Sequence, residues 1–273
     1  MRKRLVVLLA LVVLLTSLLL GYGYFLAPRH LSVKTKVLES EKINPSLNGI
    51  SIVYFSDVYF NEFVDQKRFD AIVKKINSLA PDVILFGGNL VADQFESDED
   101  RTNLLQSLKS LEAPYGKFAV MGDLEQASTS YLTNIDSFLQ EANIELLSNQ
   151  LRVLYFGNEH SINLIGLESI TSDFNTPNDF YTIAFSHSPS LNKNVQADLI
   201  IAGQTLGGQI NLPYLRDTFI HNNDPYRGSH GNLDISNGVG TTQFDMRLFA
   251  PAQINQYILK GKWVTFLFLS LIN

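Results

Sequence analysis

The longest apolar stretch covers residues 5–26, carries no charged side chain and follows Met1-Arg2-Lys3-Arg4. As a helix it would run roughly 33 Å, close to the ~30 Å hydrocarbon thickness of a bilayer. Tyr22, Tyr24 and Phe25 close it where an interfacial aromatic belt belongs. A cleaved signal peptide is the competing reading. The run is longer than an ordinary signal core, however, and Gly21-Tyr22-Gly23 is its one small-x-small site. The pattern predicts a membrane anchor over 1–26. Arg2, Lys3 and Arg4 favour an extracytoplasmic body, an asymmetry that Arg29, Lys34 and Lys36 reduce. A second apolar stretch, 263–272, is too short to span and reads as a buried strand or an interfacial tail.

Beyond a juxtamembrane segment, 27–49, the pattern alternates. Residues 50–55 are apolar and β-branched, as in a strand buried on both faces. Asp65 then opens a helical pattern with Phe69, Ile72, Val73, Ile76 and Leu79 on one face and Lys67, Lys74 and Lys75 away from it. A second strand is expected at 83–86, a helix through Leu104, Leu105, Leu108 and Leu111, a third strand at 117–121, and a helix through Tyr131, Leu132, Ile135, Phe138 and Leu139. Strand–helix–strand repetition at this spacing predicts right-handed crossovers in a parallel or mixed sheet. From Leu151 the character changes to short strands with little helix between them, at 153–156, 162–166, 181–185, 199–202 and 254–259. The expected architecture is one α/β domain over 50–260, an α/β half packed on a strand-rich half as one sandwich, with an apolar tail at 261–273.

Composition narrows the chemistry. With 45% hydrophobic and 18% charged residues, the chain is ordinary globular protein rather than disordered or fibrous. The first 26 residues hold three of the 21 basic residues and none of the 27 acidic ones. The remainder therefore carries 18 basic against 27 acidic groups, a net −9. Such a body lacks the counterion-release drive for DNA or RNA, so nucleic acid is not an expected partner. The absence of cysteine removes disulfides, thiolate metal sites and cysteine nucleophiles.

Five polar segments follow apolar runs, where open α/β sheets place their ligands. They are Ser56-Asp57-Val58-Tyr59, Gly87-Gly88-Asn89, Gly122-Asp123-Leu124-Glu125, Ser186-His187-Ser188-Pro189 and Gly203-Gln204-Thr205-Leu206-Gly207-Gly208-Gln209. In order and spacing this series resembles the calcineurin-like metallophosphoesterases, most closely the bacterial membrane-anchored or exported subgroup whose last motif reads Gly-His-Thr-His-Gly-Gly-Gln. The resemblance runs from Ile50 to Leu259 and includes Asn237-Gly238-Val239-Gly240-Thr241, Arg247 and Pro251. It implies a layered β-sandwich flanked by helices and, in the family, two metals that clamp a phosphoester.

This chain departs from that pattern at most ligand positions. Asp57 stands at the family's aspartate, but Tyr59 replaces a histidine and Asn89 replaces the bridging aspartate. Asp123 replaces an asparagine, Leu124 the catalytic histidine, and Glu125 the aspartate that orients it. Gln204 and Leu206 replace the paired histidines, while His187 remains. Leucine offers no lone pair, and a neutral amide cannot bridge two dications as a carboxylate does. The resemblance therefore leaves Asp57, Asn89, Asp123, His187 and Gln204 as a residual set. It would hold at most one Mg²⁺, Mn²⁺, Ca²⁺ or Zn²⁺, or none, and no residue is assigned a catalytic role. If Asp57, Asp123 and Glu125 converge without metal, repulsion should raise at least one pKa.

Blander roles compete at each position. Asp57 can be a turn residue, His187 a hydrogen-bonded core histidine, and Asn89 and Gln204 amide caps of strand ends. His221 and His230 flank a polar loop with Asp224, Pro225, Tyr226 and Arg227, where solvated histidines are the default and a compensating ligand the minority reading. Ser186 and His187 are adjacent on a strand and face opposite ways, which argues against a nucleophile–base pair. Two functions follow. One is a catalytically impaired, membrane-anchored relative that binds a phosphorylated envelope ligand or a protein partner. The other is an active phosphoesterase with a rebuilt one-metal site.

Overall fold

The computed structural model describes residues 1–92, 97–127, 135–157, 160–168, 174, 179–212 and 226–262. Helix α1, Arg2–Phe25, has a mean hydropathy of 2.8 over its most apolar window, none of it buried against the body. The expected tail at 263–272, and His221, Asp224 and Pro225, lie outside the described residues.

Two six-stranded sheets stack face to face. The first runs β1-β12-β2-β3-β4-β5 and the second β10-β11-β9-β8-β7-β6. In the first, β2 (Ser51–Phe55), β3 (Val83–Phe86), β4 (Lys117–Ala119) and β5 (Glu145–Leu146) are parallel. Strand β12 (Ala252–Gly261) returns antiparallel to β2, with β1 (Leu31–Ser40) parallel at its outer edge. In the second sheet β7 (His160–Leu167), β8 (Tyr181–Ser186), β9 (Leu199–Ala202) and β11 (Leu233–Ile235) are parallel, flanked by antiparallel β6 (Gln150–Phe156) and β10 (Gly228–His230). The expected mixed α/β sandwich is what forms.

Alternation along β2 explains the layering. Ile52 and Tyr54 point into the inter-sheet core with Val83, Leu85, Ile183, Phe185 and Ile201, while Val53 and Phe55 point to the helices. Helix α2 (Gln66–Asn77) buries Phe69, Ile72, Val73 and Ile76 there, as its period predicts, and the Asp65 carboxylate caps it by accepting from Arg68 N at 2.8 Å. Helix α3 (Asp98–Lys109) adds Leu104, Leu105 and Leu108. Only α5 (Ile135–Glu141) of the helix expected from Tyr131 lies among the described residues. Helix α4, Asp123–Ala127, is a single turn starting inside the third polar segment.

The stretch read from the sequence as juxtamembrane supplies a full strand. In β1, Val33, Thr35 and Val37 alternate with Lys34 and Lys36, a half-solvated pattern of the kind used at sheet edges. Its ten-residue register with β12 could not be read from the sequence because the partner lies about 220 positions away.

Candidate functional site

The five polar segments meet at one end of the sandwich, beyond the carboxyl ends of β2, β3, β4, β8 and β9. The Asp57 and Val58 amides donate to the Gly88 and Asn89 carbonyls at 2.9 Å, and the Gly203 amide donates to the His187 carbonyl at 3.0 Å. Backbone pairing thus continues past the strands and fixes the segments against each other. Asp57, Tyr59, Asn89, Gln204 and Leu206 all have left-handed backbones, with φ of 58°, 53°, 59°, 69° and 52°. Such conformations cost about 1–2 kcal/mol per L-residue and persist only where surrounding structure imposes them.

Asp57 is fully buried. Its Oδ2 accepts from Ser56 Oγ at 2.6 Å and from the Gln204 amide at 3.0 Å, and its Oδ1 accepts from Asn89 Nδ2 at 3.3 Å. Asn89 is central. Its Nδ2 also lies 3.0 Å from Tyr59 Oη and 3.1 Å from His187 Nε2, while its Oδ1 accepts from the Leu124 amide at 3.1 Å. The His187 ring donates from Nδ1 to the Gly87 carbonyl at 2.7 Å, which leaves Nε2 facing Asn89 and, at 3.7 Å, Asp123 Oδ2. Asp123 stands at the mouth with a mostly exposed side chain and accepts from Gln204 Nε2 at 2.6 Å.

Electrostatics follow from these contacts. Burial opposes charge on His187, but hydrogen bonding to Asp123, the charge of Asp57 and the Gly87 carbonyl raise its pKa to about 9. Hydrogen bonding to His187 holds Asp123 below the usual carboxylate range, opposed by burial and reinforced by Gln204. The three carboxylates do not converge, so the condition for an upward shift is not met: Glu125 turns away. Its Oε1 accepts from the Leu90 amide at 2.6 Å, and its Oε2 from the Asn89 and Gly122 amides at 2.8 and 2.7 Å. Tyr59 is a still poorer ligand than its type suggests, since burial and then the Asp57 charge raise its pKa.

Sequence reasoning missed the role of Arg247, the largest fully buried side chain. Its guanidinium donates to five backbone carbonyls, those of Leu206, Asn237, Gly238, Gly240 and Ala250, at 2.5–3.2 Å. It thereby ties the Gln204 loop to the 237–250 loop. Burial lowers its pKa to about 9, still leaving it charged at neutral pH. Gly238 (φ 65°) packs on Asp57, where a Cβ would come within 2.8 Å of the Asp57 Cβ, and the Gly240 amide donates to the Asp57 carbonyl at 2.7 Å. A lone arginine in a polar stretch gives no sequence signal of such a role. His230 lies on β10, exposed, where its Nε2 donates to the Arg227 carbonyl at 2.8 Å.

The donor set can be tested against a metal pair. Among the described residues no group of three or more His, Asp or Glu side chains converges as a metal shell. The Asn89 amide nitrogen, which offers no lone pair, lies within 3.3 Å of Asp57 Oδ1, Tyr59 Oη and His187 Nε2, and Leu206 is buried with none to offer. The residues present do not fit a binuclear centre.

No protein-family model matches the chain. Three relatives align along most or much of it. The uncharacterized metallophosphoesterase YkuE of Bacillus subtilis is 22% identical over 261 residues, 88% of this chain and 90% of that protein. The bovine transmembrane protein with metallophosphoesterase domain is 27% identical over 286 residues, 92% of this chain but 62% of its own length. UDP-2,3-diacylglucosamine pyrophosphatase LpxG of Chlamydia trachomatis is 25% identical over 225 residues, 62% of this chain and 67% of that protein. Taken with the two-sheet architecture and five ordered loops at one sheet end, these alignments support a calcineurin-like metallophosphoesterase family for the chain.

Proposed function

We propose that the protein is a catalytically impaired, membrane-anchored member of this family whose cleft binds a ligand or a protein partner. The observation that carries the reading is the Asn89 amide. Its Nδ2 donates to Asp57 Oδ1 and Tyr59 Oη and sits 3.1 Å from His187 Nε2, so hydrogen atoms occupy the space where a shared carboxylate would leave lone pairs for two cations. Leu124 at the catalytic-histidine position removes the group that would assist a leaving oxygen. Of the expected occupants, a phosphorylated ligand meets the Asp123 carboxylate at the mouth, whereas hydrogen-bond donors from a partner match it. The α1 helix is the expected membrane anchor, with the body on the extracytoplasmic side.

A second reading rests on Asp123 Oδ2 and His187 Nε2, 3.7 Å apart, as two ligands to one cation. It requires the Asn89 and Gln204 amides to turn their oxygens inward, and for Asn89 that gives up the bond to the Leu124 amide. Metal analysis of the full chain purified in detergent, with thermal melts in Mn²⁺, Mg²⁺, Ca²⁺ and Zn²⁺, separates the two. Impairment predicts substoichiometric metal, no shift and no turnover of an aryl phosphodiester. Metal-dependent turnover abolished by Asp123→Ala would establish the second reading instead.

A further inference from the structure

Helix α1 does not leave the body as a free stalk. Gly23, on its last turn, is buried, and its carbonyl accepts from the Arg247 amide at 3.0 Å. A Cβ on Gly23 would come within 2.9 Å of Met246 Cε, 3.2 Å of the Arg247 carbonyl and 3.3 Å of Leu248 Cδ1, so a larger residue there requires the loop to give way. Around it, Asp245 pairs with Arg68 at 2.9 Å and Arg29 at 3.2 Å and accepts from Thr241 Oγ1 at 2.8 Å. Arg68 also donates to the Pro28 carbonyl at 2.6 Å. The base of the helix is thus fixed to the 241–248 loop, which the buried Arg247 also joins to the cleft.

That attachment sets a depth. Twenty-four residues of helix extend roughly 36 Å, slightly more than a ~30 Å hydrocarbon layer, so Tyr22, Gly23, Tyr24 and Phe25 fall at an interface. Loop residues bonded to Gly23 lie within a side chain's length of the same level. They are unusually apolar: Phe244 and Phe249 are about half exposed, as is Ile210 in part, whereas most other large apolar side chains of the body are buried. The loops are held rather than loose. Gln209 Nε2 donates to the Thr242 and Phe244 carbonyls at 3.0 Å, Ile210 bridges Leu248, and Arg227 donates to the Phe249 carbonyl at 3.1 Å. Aromatic side chains with an arginine beside them, continuous with the end of a hydrophobic helix, suit the headgroup layer of a bilayer.

We propose that Ile210, Phe244 and Phe249 seat in the interfacial layer of the membrane that α1 crosses, so that the cleft opens along the lipid surface and takes its occupant from there. The inference rests on α1 being a retained anchor, and the test separates the two claims. Single tryptophans are introduced by Leu14→Trp, Phe244→Trp, Phe249→Trp and Tyr115→Trp in the full chain carrying Trp263→Phe. Each variant is reconstituted in two sets of phosphatidylcholine–phosphatidylglycerol vesicles, one with acyl chains brominated near the headgroup and one with them brominated near the terminal methyl. Tyr115 precedes β4, at the sheet end opposite the cleft, and serves as the solvent reference. The expected result is strong quenching at 14 by the deep bromines, with quenching at 244 and 249 by the shallow bromines at least about twofold that at 115. Quenching at 14 alone overturns the proposal and leaves the loops to a soluble or protein partner. No quenching at 14 overturns it together with the anchor.

Discussion

Asparagine and aspartate have nearly the same volume, so what Asn89 changes is the sign of what its side chain offers. Nδ2 contributes two hydrogens where a carboxylate would contribute lone pairs, and Asp57 Oδ1 and Tyr59 Oη accept them. Asn89→Asp would set a second buried carboxylate against Asp57 and remove those donors. The expected loss is about 1–3 kcal/mol, read as a lower melting temperature of the full chain. Mn²⁺ should return part of that loss in the variant and leave the wild type unmoved. A variant as stable as the wild type without metal would contradict the role given to the amide. Arg247 works at the same scale by different means, because five carbonyls around one planar guanidinium leave no substitute with enough donors in one plane.

Among elements, the join between the sheets is partly polar. Asp234 on β11 is fully buried and accepts from Lys34 Nζ on β1 at 2.8 Å, Ser229 Oγ at 2.8 Å and Tyr257 Oη on β12 at 2.9 Å. Burial pushes its pKa up, but Lys34, Ser229 and Tyr257 outweigh that and hold it below the usual value. A carboxyl depressed in the folded state contributes stability above its unfolded pKa of about 3.9 and loses it as pH falls through the folded value. Asp234→Asn should therefore melt below the wild type at pH 7, and the two should converge as the pH drops below about 3.9. Melting curves across that range test it, and a gap that stays constant with pH would remove the charge from the explanation. Polar bonds of this kind also explain why β1, lysine-rich and outside the expected domain, is an integral strand.

For the whole molecule, the first sheet closes on a strand taken from just behind the N-terminal apolar helix. A version beginning at Ile50 lacks β1 and leaves the long edge of β12 unpaired over ten residues, a template for aggregation. It should be insoluble or oligomeric by size-exclusion chromatography, whereas one beginning at Ala27 should be soluble once the apolar helix is gone. A monodisperse, folded protein starting at Ile50 would show that β1 is dispensable. The same connectivity couples the apolar helix to the cleft, since α1, the 241–248 loop, Arg247 and Asp57 form one bonded series.

The sequence by itself determined the parts whose signals are local. These are the apolar helix, the amphipathic faces of α2 and α3, the buried parallel strands, the order of five polar segments, and the residue types that cannot ligate a metal. Periodicity and side-chain chemistry act over a few residues, so a reading along the chain captures them. Tertiary structure alone decided the rest. Whether Glu125 faces the cleft or caps the Asn89 and Leu90 amides depends on loops 35 residues apart. Which way the Asn89 amide donates, what Arg247 satisfies, and where Gly23 docks likewise depend on partners brought together only by folding. A hydrogen bond or a buried charge is defined by the direction and distance of its partner, and these arise from the packing of the two sheets.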